Sequence, residues 1–372
     1  QGQRNGSNDI VDSGGTTDPD LYKVTSTATW NFSPLRSESV SYVTYLTNFR
    51  RSWASPRQIG AVNLASINDG WKVATSGNYA YVVRNSGATN FFVIDISTPS
   101  APIEVGSLAL SGQLADVAIS GSYAYVTSVD NAAELQIVNV STPSSPSLTG
   151  SYNAAGNADA RGVFVVGTTA YVVRDSSGSD EFLIIDASTP SSPSLTGSLN
   201  LASTGYEVYV SGSYAYVSQE DNMAELNVIS ISTPSTPTSA ATLNLTGNND
   251  AITIAGLSNA VLLGRVGGDF VTVNVTTPTT PSVSGTLSLG TNVNDISVHT
   301  NNIMVFLAND DDTHEFQVIS IETLSSPTLL GTYNISGSTN AYGVAYNSSK
   351  DMAAVVGDSD TEEFLVIGPQ VQ

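Results

Sequence analysis

Phe92-Val93-Ile94-Asp95-Ile96-Ser97-Thr98-Pro99 returns as Gln136-Ile137-Val138-Asn139-Val140-Ser141-Thr142-Pro143, then as Leu183-Ile184-Ile185-Asp186-Ala187-Ser188-Thr189-Pro190. Further copies lie at 227–234 and 272–278, and degraded ones at 317–324 and 365–369. The phrase is anchored at Asp95, Asn139, Asp186, Ser230, Asn274, Ser320 and Gly368, in steps of 44 to 48 residues. A fixed period of that length means one supersecondary unit built repeatedly, here seven times.

Each unit holds four strand-like stretches. In the second copy these are 116–120, 123–128, 135–140 and 147–152, filled by Val, Ile, Tyr and Leu. Gly121-Ser122 makes a tight turn between the first two. A polar loop, 129–134, joins the second and third, and Ser141-Thr142-Pro143-Ser144-Ser145-Pro146 joins the third and fourth. Proline cannot donate to a central ladder, so that loop ends the pairing. Four short antiparallel strands in such a repeat make one propeller blade.

The ends of the array are complementary. The last repeat stops at Gly368-Pro369, after its third strand. The first is preceded by Gln58-Ile59-Gly60-Ala61-Val62-Asn63-Leu64, the fourth-strand pattern of Leu195-Thr196-Gly197-Ser198-Leu199-Asn200-Leu201. The N-terminal strand is therefore expected to complete the blade begun by the last three strands, leaving no free edge. An open solenoid of the same repeats would have no use for two half-repeats. The expected fold is all-β: a seven-bladed propeller over 58–368, a flexible leader at 1–20, an extension at 21–57 and a tail at 369–372.

These residues resemble the LVIVD-repeat propeller family. The family pattern is an Ala-Tyr-Val strand, a loop, a Leu-x-Val-Ile-Asp strand and Ser-x-Pro-x-x-Pro. Ala80-Tyr81-Val82, Ala124-Tyr125-Val126, Ala170-Tyr171-Val172 and Ala215-Tyr216-Val217 match its first part. The fifth repeat departs most, with Ala260-Val261-Leu262 and a short Gly267-Gly268 loop. The resemblance implies a propeller on a microbial cell surface or secreted from it, with no common catalytic residues.

Composition points the same way. The chain has 372 residues, 33 acids against 12 Lys and Arg, a net charge of −21 and no cysteine. Such a chain repels nucleic-acid backbones and anionic membranes. Without cysteine it has no disulfides, thiolate nucleophiles or thiolate zinc sites. No apolar run is long enough to cross a bilayer. Few lysines (Lys23, Lys72, Lys350) and abundant Ser and Thr suit an extracellular location. The first residue is Gln1, which suits a mature chain that has lost a signal. Sequons at Asn5, Asn31, Asn139, Asn244, Asn274, Asn334 and Asn347 permit glycosylation.

The extension carries two of the three tryptophans. Tyr22, Val24, Ala28, Trp30 and Phe32 alternate with polar residues, the pattern of a half-buried strand. Tyr42, Tyr45, Leu46, Phe49 and Trp53 follow helical spacing over 38–53, with Ser37 as cap and Pro56 beyond the end. Val40, Val43 and several threonines also suit a strand. These ten apolar residues are candidates for assembly. Either the extension folds on its own propeller or it joins a neighbour by strand addition, which repeated head to tail makes a filament.

Acids concentrate in the loops between second and third strands and those entering first strands, 22 of the 33 on one face. Asp310, Asp311, Asp312 and Glu315, with Asp358, Asp360 and Glu362, are candidate calcium ligands without EF-hand spacing. The plainer reading is that acids favour turns, and that Asp116, Asp159, Asp250 and Asp295 bond backbone amides. The acidic face could otherwise dock a protein or a glycan.

No catalytic constellation is visible. His299 near the axis and His314 in a loop are the only histidines, and Ser297 is near His299 in sequence. No nucleophile elbow, metal-binding His-Glu-x-x-His or P-loop occurs. A pair of loop carboxylates acting as a glycosidase stays open. The expectation is a non-enzymatic assembly protein without a cofactor, or an adhesin-like binding module.

Overall fold

The computed structural model describes residues 52–64, 69–337, 339–359 and 361–370, and the backbone pairing of further strands at 2–4, 10–11, 16–18, 21–33, 36–47, 51 and 371. Seven four-stranded antiparallel sheets follow one another. Blade 1 is Gly70–Ser76, Tyr79–Arg84, Phe91–Asp95 and Ile103–Leu108. Blades 2 to 6 begin at Leu114–Ser120, Ala160–Val166, Gly205–Ser211, Ala251–Gly256 and Val293–Val298. Blade 7 takes Ala341–Asn347, Met352–Gly357 and Phe364–Val371 from the end of the chain and Arg51–Val62 from near its start. The innermost strands neighbour one another in order, and that of blade 7 meets that of blade 1, so the ring closes. This is the seven-bladed propeller that the repeat implied.

Each blade obeys the same physics. Second and third strands are buried on both faces and mostly apolar, as in Tyr79–Arg84 and Phe91–Asp95. The Ala of each Ala-Tyr-Val is fully buried, because neighbouring blades leave room for a methyl group only. The adjacent Tyr81 and Tyr171 rings meet Phe91 and Phe182 at 6.4 and 6.3 Å. The Ser-Thr-Pro loop is capped by the anchor residue: Asp95 Oδ1 accepts from Ser97 N–H at 2.7 Å, and Asp186 Oδ1 from Ser188 N–H at 2.8 Å.

The seam corrects two readings. The helix expected over 38–53 does not form: Arg36–Thr47 is a strand and Arg51–Val62 another. The β-branched residues of 40–47 prevailed once a partner strand was available. The propeller also starts earlier than 58. Trp53 is 4% exposed and stands against Phe306 at 4.4 Å and Phe316 at 6.3 Å, so it belongs to the propeller core and not to an assembly surface. Its Nε1 donates to Asp351 Oδ1 at 3.3 Å.

The reason lies in a spacing. A proline stands four residues before a close-packed glycine at Pro102/Gly106, Pro146/Gly150 and Pro327/Gly331, and again at Pro56/Gly60. A Cβ on Gly106 would meet the Pro143 carbonyl of the next blade's loop at 2.2 Å, and one on Gly331 would meet the Trp53 carbonyl at 2.5 Å. Trp53-Ala54-Ser55-Pro56 thus fills, for the split blade, the place that the proline loop fills elsewhere. Pro56 lies inside the strand Arg51–Val62 and does not follow a helix.

The remainder of the N-terminal chain forms a compact unit of its own, residues 1–52 with 370–372. Leu21–Ser33 and Arg36–Thr47 pair as a long antiparallel hairpin, with Tyr22 opposite Leu46, Val24 opposite Thr44, Ala28 opposite Val40 and Trp30 opposite Glu38. Where a flexible leader was expected, Gly2–Arg4 pairs with Ile10–Val11 and Thr16–Asp18. Asn5 and Phe49 lie outside the described residues.

Candidate functional site

The innermost strands bring one residue from every blade to the same level on the axis. In blade order these are Lys72, Asp116, Gly162, Glu207, Thr253, Asp295 and Gly343. The acids stand on even blades, and each reaches the next blade's inner strand. Asp116 accepts from Val163 N–H at 2.9 Å, Glu207 from Ile254 N–H at 3.0 Å and Asp295 from Val344 N–H at 2.8 Å. Lys72 inserts between them: its Nζ contacts Glu207, lies 3.1 Å from Asp295 Oδ1 and donates to the Asn294 carbonyl at 3.1 Å.

Burial and the neighbouring Glu207 charge push Asp116 up to about 7, against the pull of Lys72. Burial raises Asp295 to about 6, with Lys72 lowering and Glu207 raising it. Burial acts to lower the Lys72 ammonium, but Asp295, Glu207 and Asp116 together hold it above its ordinary value. Asp116 and Asp295 were read correctly as amide acceptors. Glu207 and Lys72 were missed, although a lysine inside an apolar strand of a lysine-poor chain was a usable signal.

This charged layer lies between two axial cavities. The one at the mouth, about 350 Å³, is bordered by Trp71, Arg161, Tyr206, Asn294 and Tyr342, with Lys72, Asp116 and Glu207 beneath. The one on the other side of the layer, about 310 Å³, is bordered by Thr75, Phe164, Ile254, Ser297 and Tyr346. Trp71 and Tyr342 lie 4.9 Å apart, inclined by 35°. Arg161 forks onto Asp175 with Nε–Oδ1 at 2.7 Å and Nη2–Oδ2 at 2.8 Å.

The acidic face is less free than its count suggested. Glu134, Glu181, Glu225, Glu315 and Glu363 are all buried. Each accepts the backbone N–H that follows a fourth strand: Ala154, Leu201, Leu245 and Ile335, and across the seam Leu64. A carboxylate there satisfies an amide that no ladder reaches. Three are backed by fully buried arginines on odd blades, Arg84 contacting Glu363, Arg174 at 4.0 Å from Glu134 and Arg265 at 3.7 Å from Glu225.

The calcium candidates spread out. Asp310 accepts from Asn292 N–H and Nδ2 at 2.8 and 2.6 Å, and Asp311 from the Thr313 hydroxyl at 2.6 Å. Asp358 accepts from Asn340 and Tyr342, and Glu362 from Gln58 Nε2 at 3.0 Å. Asp312 stays exposed, Glu315 is buried, and Asp360 lies outside the described residues. Among the described residues no three acids or histidines converge on a point that could hold a metal ion.

His299 follows the inner strand of blade 6, with Nε2 3.5 Å from Asp351 Oδ1 and its ring on Tyr346 at 4.5 Å. Ser297 Oγ is occupied by the Tyr346 N–H at 2.9 Å. His314 pairs with Asp311 at 3.3 Å. Of the sequons, Asn244, Asn274 and Asn334 are exposed and Asn139 half-buried. Asn347 is 3% exposed, and its amide is used on the Gly77 carbonyl.

The comparisons agree with this geometry. The family model of the LVIVD repeat matches residues 68–109, 111–154, 157–200 and 205–244, so the resemblance read from the sequence stands. No curated protein matches the chain. Among solved structures it is similar to Chaetomium thermophilum Raptor (TM-score 0.67, 11% identity), covering 84% of this chain and only 29% of that one. It is similar to a chain of the Mitotic Checkpoint Complex (TM-score 0.65, 15% identity, 85% and 93% covered). A third is the Myceliophteria thermophila Cps50 (Swd1) β-propeller domain (TM-score 0.65, 9% identity, 85% and 100% covered). At these identities the likeness concerns the fold. A propeller built from LVIVD repeats suggests a protein-interaction scaffold.

Proposed function

We propose that this chain is a non-enzymatic extracellular or cell-surface assembly protein, joined to neighbouring copies or surface proteins through the hairpin at 21–47, in the limit as a filament subunit. One observation carries the reading. The propeller closes on itself, whereas among the described residues the hairpin's sheet contains two strands, each with an edge that no described strand pairs. A two-stranded ribbon alone is marginally stable in water and gains most by pairing with a further strand. Its first strand is 13 residues long, against five to eight for the blade strands other than Arg51–Val62. Low lysine content and acceptable sequons at Asn244, Asn274 and Asn334 support the extracellular location.

The test compares the full chain with one starting at Arg51, which keeps the whole strand that closes blade 7. Light scattering and negative-stain microscopy should show large oligomers or fibres with the full chain and single discs with the shortened one. Two equally monomeric species would overturn the proposal.

A further inference from the structure

We propose that the mouth cavity binds a neutral saccharide ring. This stands apart from the role given to the hairpin, so either can fail alone. The cavity is formed by inner strands of a closed ring and exists without rearrangement, and its volume of about 350 Å³ lies at the small end of the range for small-molecule sites.

Its cations are already answered from within the protein. Lys72 faces Glu207 and Asp295, Arg161 is forked onto Asp175, and Asp310 is held by Asn292. An anionic ligand would find no free cation there, and any charged ligand would lose its hydration on entering. A neutral one meets no such penalty.

What remains open is a set of donors and acceptors beside aromatic faces. Among the described residues, Trp71 Nε1, the Tyr206 hydroxyl, Arg161 Nη1 and Asn294 Oδ1 have no hydrogen-bond partner. Burial, with Glu220 and Asp250 nearby, pushes the Tyr206 hydroxyl up to about 12, so it keeps its proton at neutral pH. Hydroxyl groups both donate and accept, which matches this mixture. The C–H face of a pyranose carries slight positive charge and lies well on the negative face of an indole or phenol. Trp71 and Tyr342 provide that wall on blades 1 and 7, with Tyr206 and Arg161 on blades 4 and 3.

The experiment titrates the full chain with methyl glycosides of glucose, galactose, mannose and N-acetylglucosamine, and with glucuronate and lysine methyl ester as charged counterparts. Saturation-transfer NMR and tryptophan fluorescence report binding. At least one neutral glycoside should saturate and bind more tightly than either charged probe. Trp71→Ala should weaken it about tenfold, the factor for one well-placed ring contact, while Trp71→Phe retains most of it. Arg161→Met changes a side chain that is 41% exposed, outside the core, and should weaken binding too. The proposal is overturned if no neutral glycoside saturates, if a charged probe binds most tightly, or if Trp71→Ala binds as the parent does.

Discussion

Two stretches near the start of the chain, 21–47 and 51–62, are both extended, yet they enter different kinds of sheet. Residues 51–62 join three strands from the other end of the chain and finish blade 7. Among the described residues, 21–33 and 36–47 pair only with each other. The difference is written in what surrounds the strand pattern. The second stretch carries the Pro56/Gly60 spacing of the repeat and a waiting gap beside Phe364–Val371. The first has no counterpart in the repeat, so no place in the ring is reserved for it. Alternation makes a strand, and only a complementary edge decides which sheet it enters.

The contrast can be broken most forcefully at Trp53. Trp53→Ala removes an indole held between Phe306 and Phe316 and should cost the propeller about 3–5 kcal/mol in denaturant unfolding. Trp30→Ala, in the hairpin, should leave the ring's unfolding midpoint in place. Equal effects would mean that the two stretches are not separate units.

Lys72→Met probes the ring's own interior. It leaves Glu207 and Asp295 buried without their cation, and a loss of roughly 3 kcal/mol is expected. Gly331→Ala forces a Cβ against the Trp53 carbonyl and should cost about 1–3 kcal/mol, by the same mechanism as Gly106→Ala at an unsplit blade. Similar losses at the two sites would establish that the seam is packed as an ordinary blade boundary.

The next effect is one of pH. Asp116 and Asp295 are raised in the folded ring, so the native state binds protons there that the unfolded chain releases. Their contribution is full below about pH 4, the unfolded carboxylate range, and is lost as pH rises through about 6 to 7. Melting temperature should therefore fall between about pH 5 and pH 8, and Asp116→Asn should flatten that decline. The smallest effect belongs to the hairpin: removing residues 1–50 should change the ring's stability by less than about 1 kcal/mol, while changing assembly. A large loss of stability would erase the distinction between the two regions.

Much of the fold was legible before any coordinates. The Ser-Thr-Pro loops, the Ala-Tyr-Val strands and the half-repeats at 58–64 and 365–369 are local patterns, and local patterns encode local structure. The boundary at Trp53 is legible too, through the proline-to-glycine spacing, but the helical spacing at 42–53 competes with it. The alternation of Arg84, Arg174 and Arg265 on odd blades with Asp116, Glu207 and Asp295 on even ones is present in the register of the repeats. It becomes visible only when every repeat is aligned at residue level.

By itself, then, the sequence determined the blade, the number of blades and the closure of the ring. Each rests on hydrophobic alternation and turn chemistry within about 45 residues, and on two half-repeats that only fit each other. Tertiary structure alone decided which acids are solvated and which are buried, and it alone brought Lys72 to Glu207 and Asp295, 135 and 223 residues away. The physical reason is that a residue's level on the axis is set by its blade, whereas its partners are set by the closed circle. No property of a single repeat contains that circle.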